Sequence, residues 1–112
     1  MILGSSVSEQ FIKAAKVGDL QDNEMKAVTI GGRDILLARV NGEFYAVSNE
    51  CTHIAMPLDQ GTLAGYAVQC PLHGSRFDLR TGAALCEPAE GPLVVYQVRI
   101  VGDEILIGPK EL

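Results

Sequence analysis

Two mixed pairs of metal-ligating side chains limit what this chain can be. They are Cys51-Thr52-His53 and, after sixteen intervening residues, Cys70-Pro71-Leu72-His73, and the chain holds no other histidine. Thiolate sulfur and neutral imidazole suit borderline and soft metals. Ligands so close along the chain can reach one point together only from a loop. Pro57, Pro71 and Gly74 bend the backbone where such loops are needed. Two facing loops with two ligands each make a closed four-ligand site.

Two Cys and two His are compatible with structural zinc. Zinc fingers, however, place two Cys in one pair and two His in the other, the His several residues apart. Here each pair is one Cys and one His. A [2Fe–2S] centre needs that arrangement when two Cys hold one iron and two His the other. The spacing favours iron–sulfur and leaves open a zinc-stabilised interaction module.

The remaining features bound the class. A length of 112 residues with 47% hydrophobic residues sets a single domain, 1–112, with a modest core. No run of apolar residues is long enough to span a membrane, and Met1-Ile2-Leu3-Gly4-Ser5-Ser6 does not read as a secretory signal. The net charge of −5 argues against nucleic acid as a partner, and serves either solubility or steering toward a basic patch on a partner. Three cysteines, two of them in the site, leave no disulfide framework, which fits a reducing cytoplasm. Cys86 is then expected to be a small buried hydrophobe.

The hydrophobic pattern is that of strands. Residues 1–9 read as a flexible tail. Phe11–Ala15, Met25–Ile30, Arg33–Val40 and Glu43–Ser48 read as strands, the last two joined by Asn41-Gly42, a strong hairpin signal. Leu63–Gln69 has room for a hairpin around Gly65, Phe77-Asp78 can pair with Ala83-Ala84, and Glu87–Pro92 is a loop. Val94–Ile100 and Glu104–Ile107 form a last hairpin around Gly102-Asp103. No segment shows a helical stripe. The expected fold is all-β, an antiparallel meander closed as a sandwich or barrel. The cluster-binding subdomain of two loops, about residues 45–86, is inserted between its strands.

At the level of motifs the chain resembles Rieske proteins. Cys51-Thr52-His53 and Cys70-Pro71-Leu72-His73-Gly74 look like their two cluster loops. Arg76-Phe77-Asp78, Thr81-Gly82 and Ala84-Leu85-Cys86-Glu87-Pro88 look like the segment that follows in the small Rieske ferredoxins of ring-hydroxylating dioxygenases. The resemblance implies one [2Fe–2S] cluster held by Cys51, His53, Cys70 and His73, and no catalytic residue. It implies a soluble monomer that carries single electrons, not an enzyme. The partners implied are a flavoprotein reductase and a terminal oxygenase, both met transiently. The competing reading is the small Rieske subunit of another redox enzyme, such as a nitrite reductase or an arsenite oxidase.

The resemblance also bears on the potential. High-potential members aim a Ser and a Tyr hydroxyl at the cluster and tie the two loops with a disulfide. Ser75 keeps the first hydroxyl, Phe77 lacks the second, and Met56 and Leu72 stand where the disulfide cysteines would be. Two neutral imidazoles raise the potential above that of an all-Cys ferredoxin, and these losses hold it near the low end of the Rieske range, which spans about −150 to +300 mV. Ile54, Ala55, Met56, Pro57, Pro71 and Leu72 form an apolar collar around the histidines. It either closes the loops over the cluster or serves as a small docking surface.

Overall fold

The computed structural model describes residues 11–52, 56–72, 74–87, 89 and 91–110. The expected tail and His53, Ile54, Ala55 and His73 lie outside the described residues. The strands are β1 (Ile12–Lys16), β2 (Glu24–Ile30), β3 (Arg33–Val40), β4 (Glu43–Ser48), β5 (Thr62–Ala64), β6 (Ala67–Gln69), β7 (Arg76–Asp78), β8 (Ala84–Cys86), β9 (Val95–Val101) and β10 (Glu104–Lys110). Short 3-10 turns cover Val17–Asp19 and Leu58–Gln60.

The hairpins arise where left-handed residues are affordable. Asn41 and Gly42 take φ of 52° and 79°, which matches the twist of the strands they join. Gly65 turns β5 into β6 with φ of 58°. The all-β expectation holds, but the simple meander does not. The larger sheet has the order β1-β10-β9-β4-β3-β2, and the smaller has β5-β6-β7-β8. In the larger sheet only β2 to β4 and β9 to β10 are consecutive neighbours. β4 next pairs with β9, far along the sequence, and β1 pairs with β10 rather than β2. Tight turns dictate hairpin partners only, whereas these long-range pairings come from closing the sheet: β1 and β2, its two ends, approach one another. The β9–β10 ladder slips between Ile107 and Lys110, where Pro109 has no N–H to donate.

β3 is the shared wall of two cores. Alternate residues of a strand face opposite sides. Ile35 and Leu37 therefore enter the interior of the larger sheet, with Ala46, Ile105 and Ile107. Leu36, Ala38 and Val40 enter a second core with Leu58, Val68, Phe77, Leu79 and Leu93. Burial on both faces explains the unbroken apolar run Ile35-Leu36-Leu37-Ala38. Each such Leu contributes about 1.5–3 kcal/mol relative to exposure. The second core binds the smaller sheet, and with it the ligand loops, to the larger one.

A polar strut reinforces that junction at the surface. The Tyr66 ring meets Tyr45 edge-on, with centroids 5.9 Å apart, and the Arg80 guanidinium stacks 4.2 Å from its centroid. Asn41 Nδ2 donates to Tyr66 Oη at 2.9 Å, Tyr45 Oη donates to Glu43 Oε1 at 2.8 Å, and Arg80 Nη2 pairs with Asp78 Oδ2 at 3.0 Å. The hydrogen bond from Arg80 holds the Asp78 carboxyl below the usual carboxylate range. Burial, helped by the Glu43 hydrogen bond and charge, pushes the Tyr45 phenol up from 10.0 to about 12.

The two shifts act on opposite flanks of the pH range. The Asp78 contribution is present above the ordinary carboxylate pKa and fades as pH falls through the lowered one. The Tyr45 contribution is intact below 10.0 and disappears as pH rises toward about 12. Melting curves should therefore show stability falling on both flanks. Tyr45→Phe should remove part of the alkaline slope and Asp78→Asn part of the acid slope. Unchanged slopes would separate stability from this strut.

Candidate metal centre

Each candidate loop is closed by its own cysteine. Cys51 N–H donates to Met56 O at 3.0 Å, and Cys70 N–H donates to Ser75 O at 2.7 Å. Both bonds reach five residues forward, so the two loops share one closure. The first loop is also clamped at its base, where Asn49 Nδ2 donates to Asp59 Oδ1 at 2.7 Å and Asp59 N–H returns to Asn49 Oδ1 at 2.9 Å. The second connects β6 to β7 and turns at Gly74, with φ of 79°.

The closures deliver both cysteines to the second core. Cys51 and Cys70 are buried, at 3% and 2% exposure, in the same cluster as Phe77. None of the three cysteines forms a disulfide. Ser75 is fully buried, and its hydroxyl has no hydrogen-bond partner among the described residues. An orphaned buried hydroxyl costs about 1–3 kcal/mol. Ser75 closes the Cys70 loop through its carbonyl, and a hydroxyl so placed suits a group with sulfur acceptors, such as an iron–sulfur cluster. On the outside, Pro57 and Pro71 are exposed and Leu72 is 52% exposed, while Met56 packs partly against the core.

A third wall went unread in the sequence. Thr52 Oγ1 donates to Gly91 O at 2.9 Å and accepts from Gly91 N–H at 3.2 Å. Cys86 Sγ donates to Gly74 O at 3.5 Å. Cys86 is thus a half-buried hydrogen-bond donor, not the buried hydrophobe expected, because β8 lies at the edge of its sheet. The available signals were a hydroxyl between the first two ligand candidates and the Gly and Pro of the 87–92 loop.

Comparison with known proteins agrees with this geometry. The model of the Rieske [2Fe-2S] domain matches residues 10–97, and the chain belongs to that family. Membership implies one Rieske-type [2Fe–2S] cluster and sets zinc aside. Within the family the chain is 38% identical over 101 residues to the ferredoxin component of the naphthalene 1,2-dioxygenase system of Pseudomonas aeruginosa, covering 90% of this chain and 97% of that one. The ferredoxin of carbazole 1,9a-dioxygenase from Nocardioides aromaticivorans IC177 superposes with a TM-score of 0.86 at 34% identity, over 90% of this chain and 99% of that one. A chain from a complex of reduced oxygenase and oxidised ferredoxin in carbazole 1,9a-dioxygenase gives 0.87 at 31% identity, over 92% and 97%.

Proposed function

We propose that this chain is a soluble, cytoplasmic one-electron carrier. It takes electrons from a flavin-dependent reductase and passes them to the terminal oxygenase of an aromatic-ring dioxygenase system. Cys51, His53, Cys70 and His73 hold the cluster, the two Cys on one iron and the two His on the other, and residues 1–112 work as one Rieske domain. When bound, the cluster supplies a reversible one-electron couple. The observation that carries the reading is two buried cysteines in one core, with the orphaned Ser75 hydroxyl in the Cys70 loop, in a chain whose ferredoxin relatives match it over nearly their whole length. Identities of 38% and 34% to such ferredoxins, against 20% to a putative nitrite reductase small subunit, favour a separate carrier over a fixed subunit of another redox enzyme. Among the described residues no helix is long and apolar enough to cross a membrane.

The chain's own residues set how the electron is held and passed. The core around Cys51 and Cys70 keeps water from the sulfurs. Pro57, Pro71 and Leu72 are exposed, and we assign them, with Met56 and the sequence neighbour Ile54, to the surface that meets each partner briefly. Electron paramagnetic resonance of the dithionite-reduced protein, with a redox titration, tests the assignment. A Rieske signal together with reoxidation by a dioxygenase terminal oxygenase supports it, and a colourless zinc protein ends it.

The same assignment places the potential low. Phe77 has no hydroxyl and no disulfide ties the loops, so Ser75 is the one side-chain donor kept. We expect a midpoint nearer −150 than +300 mV on the approximate Rieske scale. Ser75→Ala should lower it by some tens of millivolts, since about 59 mV is a tenfold change for one electron. An unchanged midpoint in that variant would show that Ser75 does not bond to the cluster.

A further inference from the structure

We infer that the mouth of the larger sheet is a binding site for a small apolar monocarboxylate, a single carboxyl group on a ring or short hydrocarbon body, held through its carboxyl by Arg33 and Tyr96. The inference does not rest on the cluster assignment above. A cavity of about 360 Å³ opens where β3 begins and β10 ends. Ile12, Ile30, Ile35 and Ile107 give it apolar walls, and Arg33 and Tyr96 border it. Ligand pockets run from about 300 to 1,000 Å³ and favour the mouths of β-barrels. The sequence explains why this mouth stays open. β10 loses its register against β9 between Ile107 and Lys110, where Gly108 brings no side chain and Pro109 no N–H. Such irregularities bend a strand away at the rim of a barrel. Gly108 and Pro109 both line the cavity.

Two polar side chains at the cavity lack partners. Tyr96 is 7% exposed, and among the described residues no hydrogen bond satisfies its hydroxyl. The sealed, unpaired polar atoms are Arg39 Nε and Ser75 Oγ, so the small exposure of Tyr96 includes its hydroxyl. Arg33 opens β3, and alternation puts it on the same side as buried Ile35. No carboxylate among the described residues pairs with it. Its neighbour Asp34 lies on the other face and accepts from Thr29 Oγ1 at 3.0 Å. A guanidinium fork matches a planar carboxylate with two parallel hydrogen bonds, and a phenol adds a further donor. The isoleucine walls call for a hydrocarbon body. Charge limits the head to one carboxyl, because Arg33 is the one cation among the described residues lining the cavity. Arg33 and Tyr96 also border an adjoining recess, where Asp34 and Glu50 stand. A second negative charge, as on a dicarboxylate or a phosphate, would meet those acids.

The test uses the full chain as purified and measures binding by calorimetry and equilibrium dialysis. The probes are benzoate, phenylacetate and cyclohexanecarboxylate, with benzyl alcohol as the uncharged control and inorganic phosphate as the bare anion. At least one of the carboxylates should bind once per chain with a Kd below about 1 mM. Arg33→Gln removes a charge-assisted fork and should weaken that binding about tenfold or more, and Tyr96→Phe about threefold or more. Benzyl alcohol should bind the wild type about as weakly as benzoate binds Arg33→Gln, a match that a merely structural arginine would not produce. The visible spectrum should be the same in wild type and both variants, which shows that the chain is folded. Arg33 stands at the exposed rim, so Arg33→Gln carries the test should Tyr96→Phe prevent folding. Wild-type affinity in Arg33→Gln, or no saturable binding of any of the carboxylates up to about 10 mM, overturns the inference. Phosphate binding as tightly as the carboxylates overturns it too, because the apolar walls would then contribute nothing.

Discussion

His73→Cys, and likewise His53→Cys, should abolish the Rieske resonance signal. The reason is charge. A neutral imidazole replaced by a thiolate would make the ligand set of the His-held iron more negative by one unit, so adding an electron becomes harder. All-Cys plant-type clusters lie near about −400 mV, against roughly −150 mV at the bottom of the Rieske range. One exchange should therefore lower the midpoint by on the order of 100 mV or more, about fiftyfold or more in the one-electron equilibrium. Where the loop cannot accommodate the shorter, charged ligand, the cluster is lost outright. Resonance spectra and a titration of both variants decide the matter. A variant with wild-type spectrum and midpoint would remove that histidine from the ligand set. Cys86→Ala provides the contrast: it should keep the cluster and a Rieske signal, because Cys86 donates to the Gly74 carbonyl and four other ligand candidates complete the site.

Ligand candidates and loop architecture were legible for different reasons. With only two histidines in the chain, both falling beside cysteines, the ligand candidates could be read from residue types alone. The hairpins at Asn41-Gly42 and Gly65 were legible because positive φ leaves a mark in composition. The β4–β9 and β1–β10 pairings leave no such mark, since they depend on how the sheet closes. Nor could composition show that β3 is buried on both faces, although its unbroken apolar run hinted at it. The contacts of Thr52 and Cys86 were the least legible. Each joins residues distant in sequence, 39 positions apart for Thr52 and Gly91, through side chains that composition assigns to filler.

Gly61→Ala should be the most damaging of the single-methyl additions, although Gly61 is far from any ligand candidate in chemistry. Its φ of −89° is open to any residue, so conformational freedom is not what requires glycine. Space is. A Cβ at this position would overlap the Gln69 carbonyl oxygen and press within 3.2 Å of Leu58 O. Backbone atoms cannot rotate out of the way as a side chain can. Gly61 caps the 3-10 turn that ends the first loop, donating its N–H to Leu58 O at 2.9 Å. Gln69 immediately precedes Cys70 and pairs with Thr62. An added methyl would thus wedge the end of one loop away from the start of the other. Overpacking of a rigid site costs about 1–3 kcal/mol or more, and a domain of this size loses roughly 4–8 °C per kcal/mol. The midpoint of thermal unfolding should therefore fall by about 10 °C or more, with bleaching of the cluster at lower temperature. Gly18→Ala, where an added Cβ meets nothing within 4 Å, is the control and should stay within about 0.5 kcal/mol of wild type. A Gly61→Ala protein that melts with the control would mean that the β5–β6 hairpin can shift without disturbing Cys70, and the two loops would then be less tightly coupled than their shared core requires.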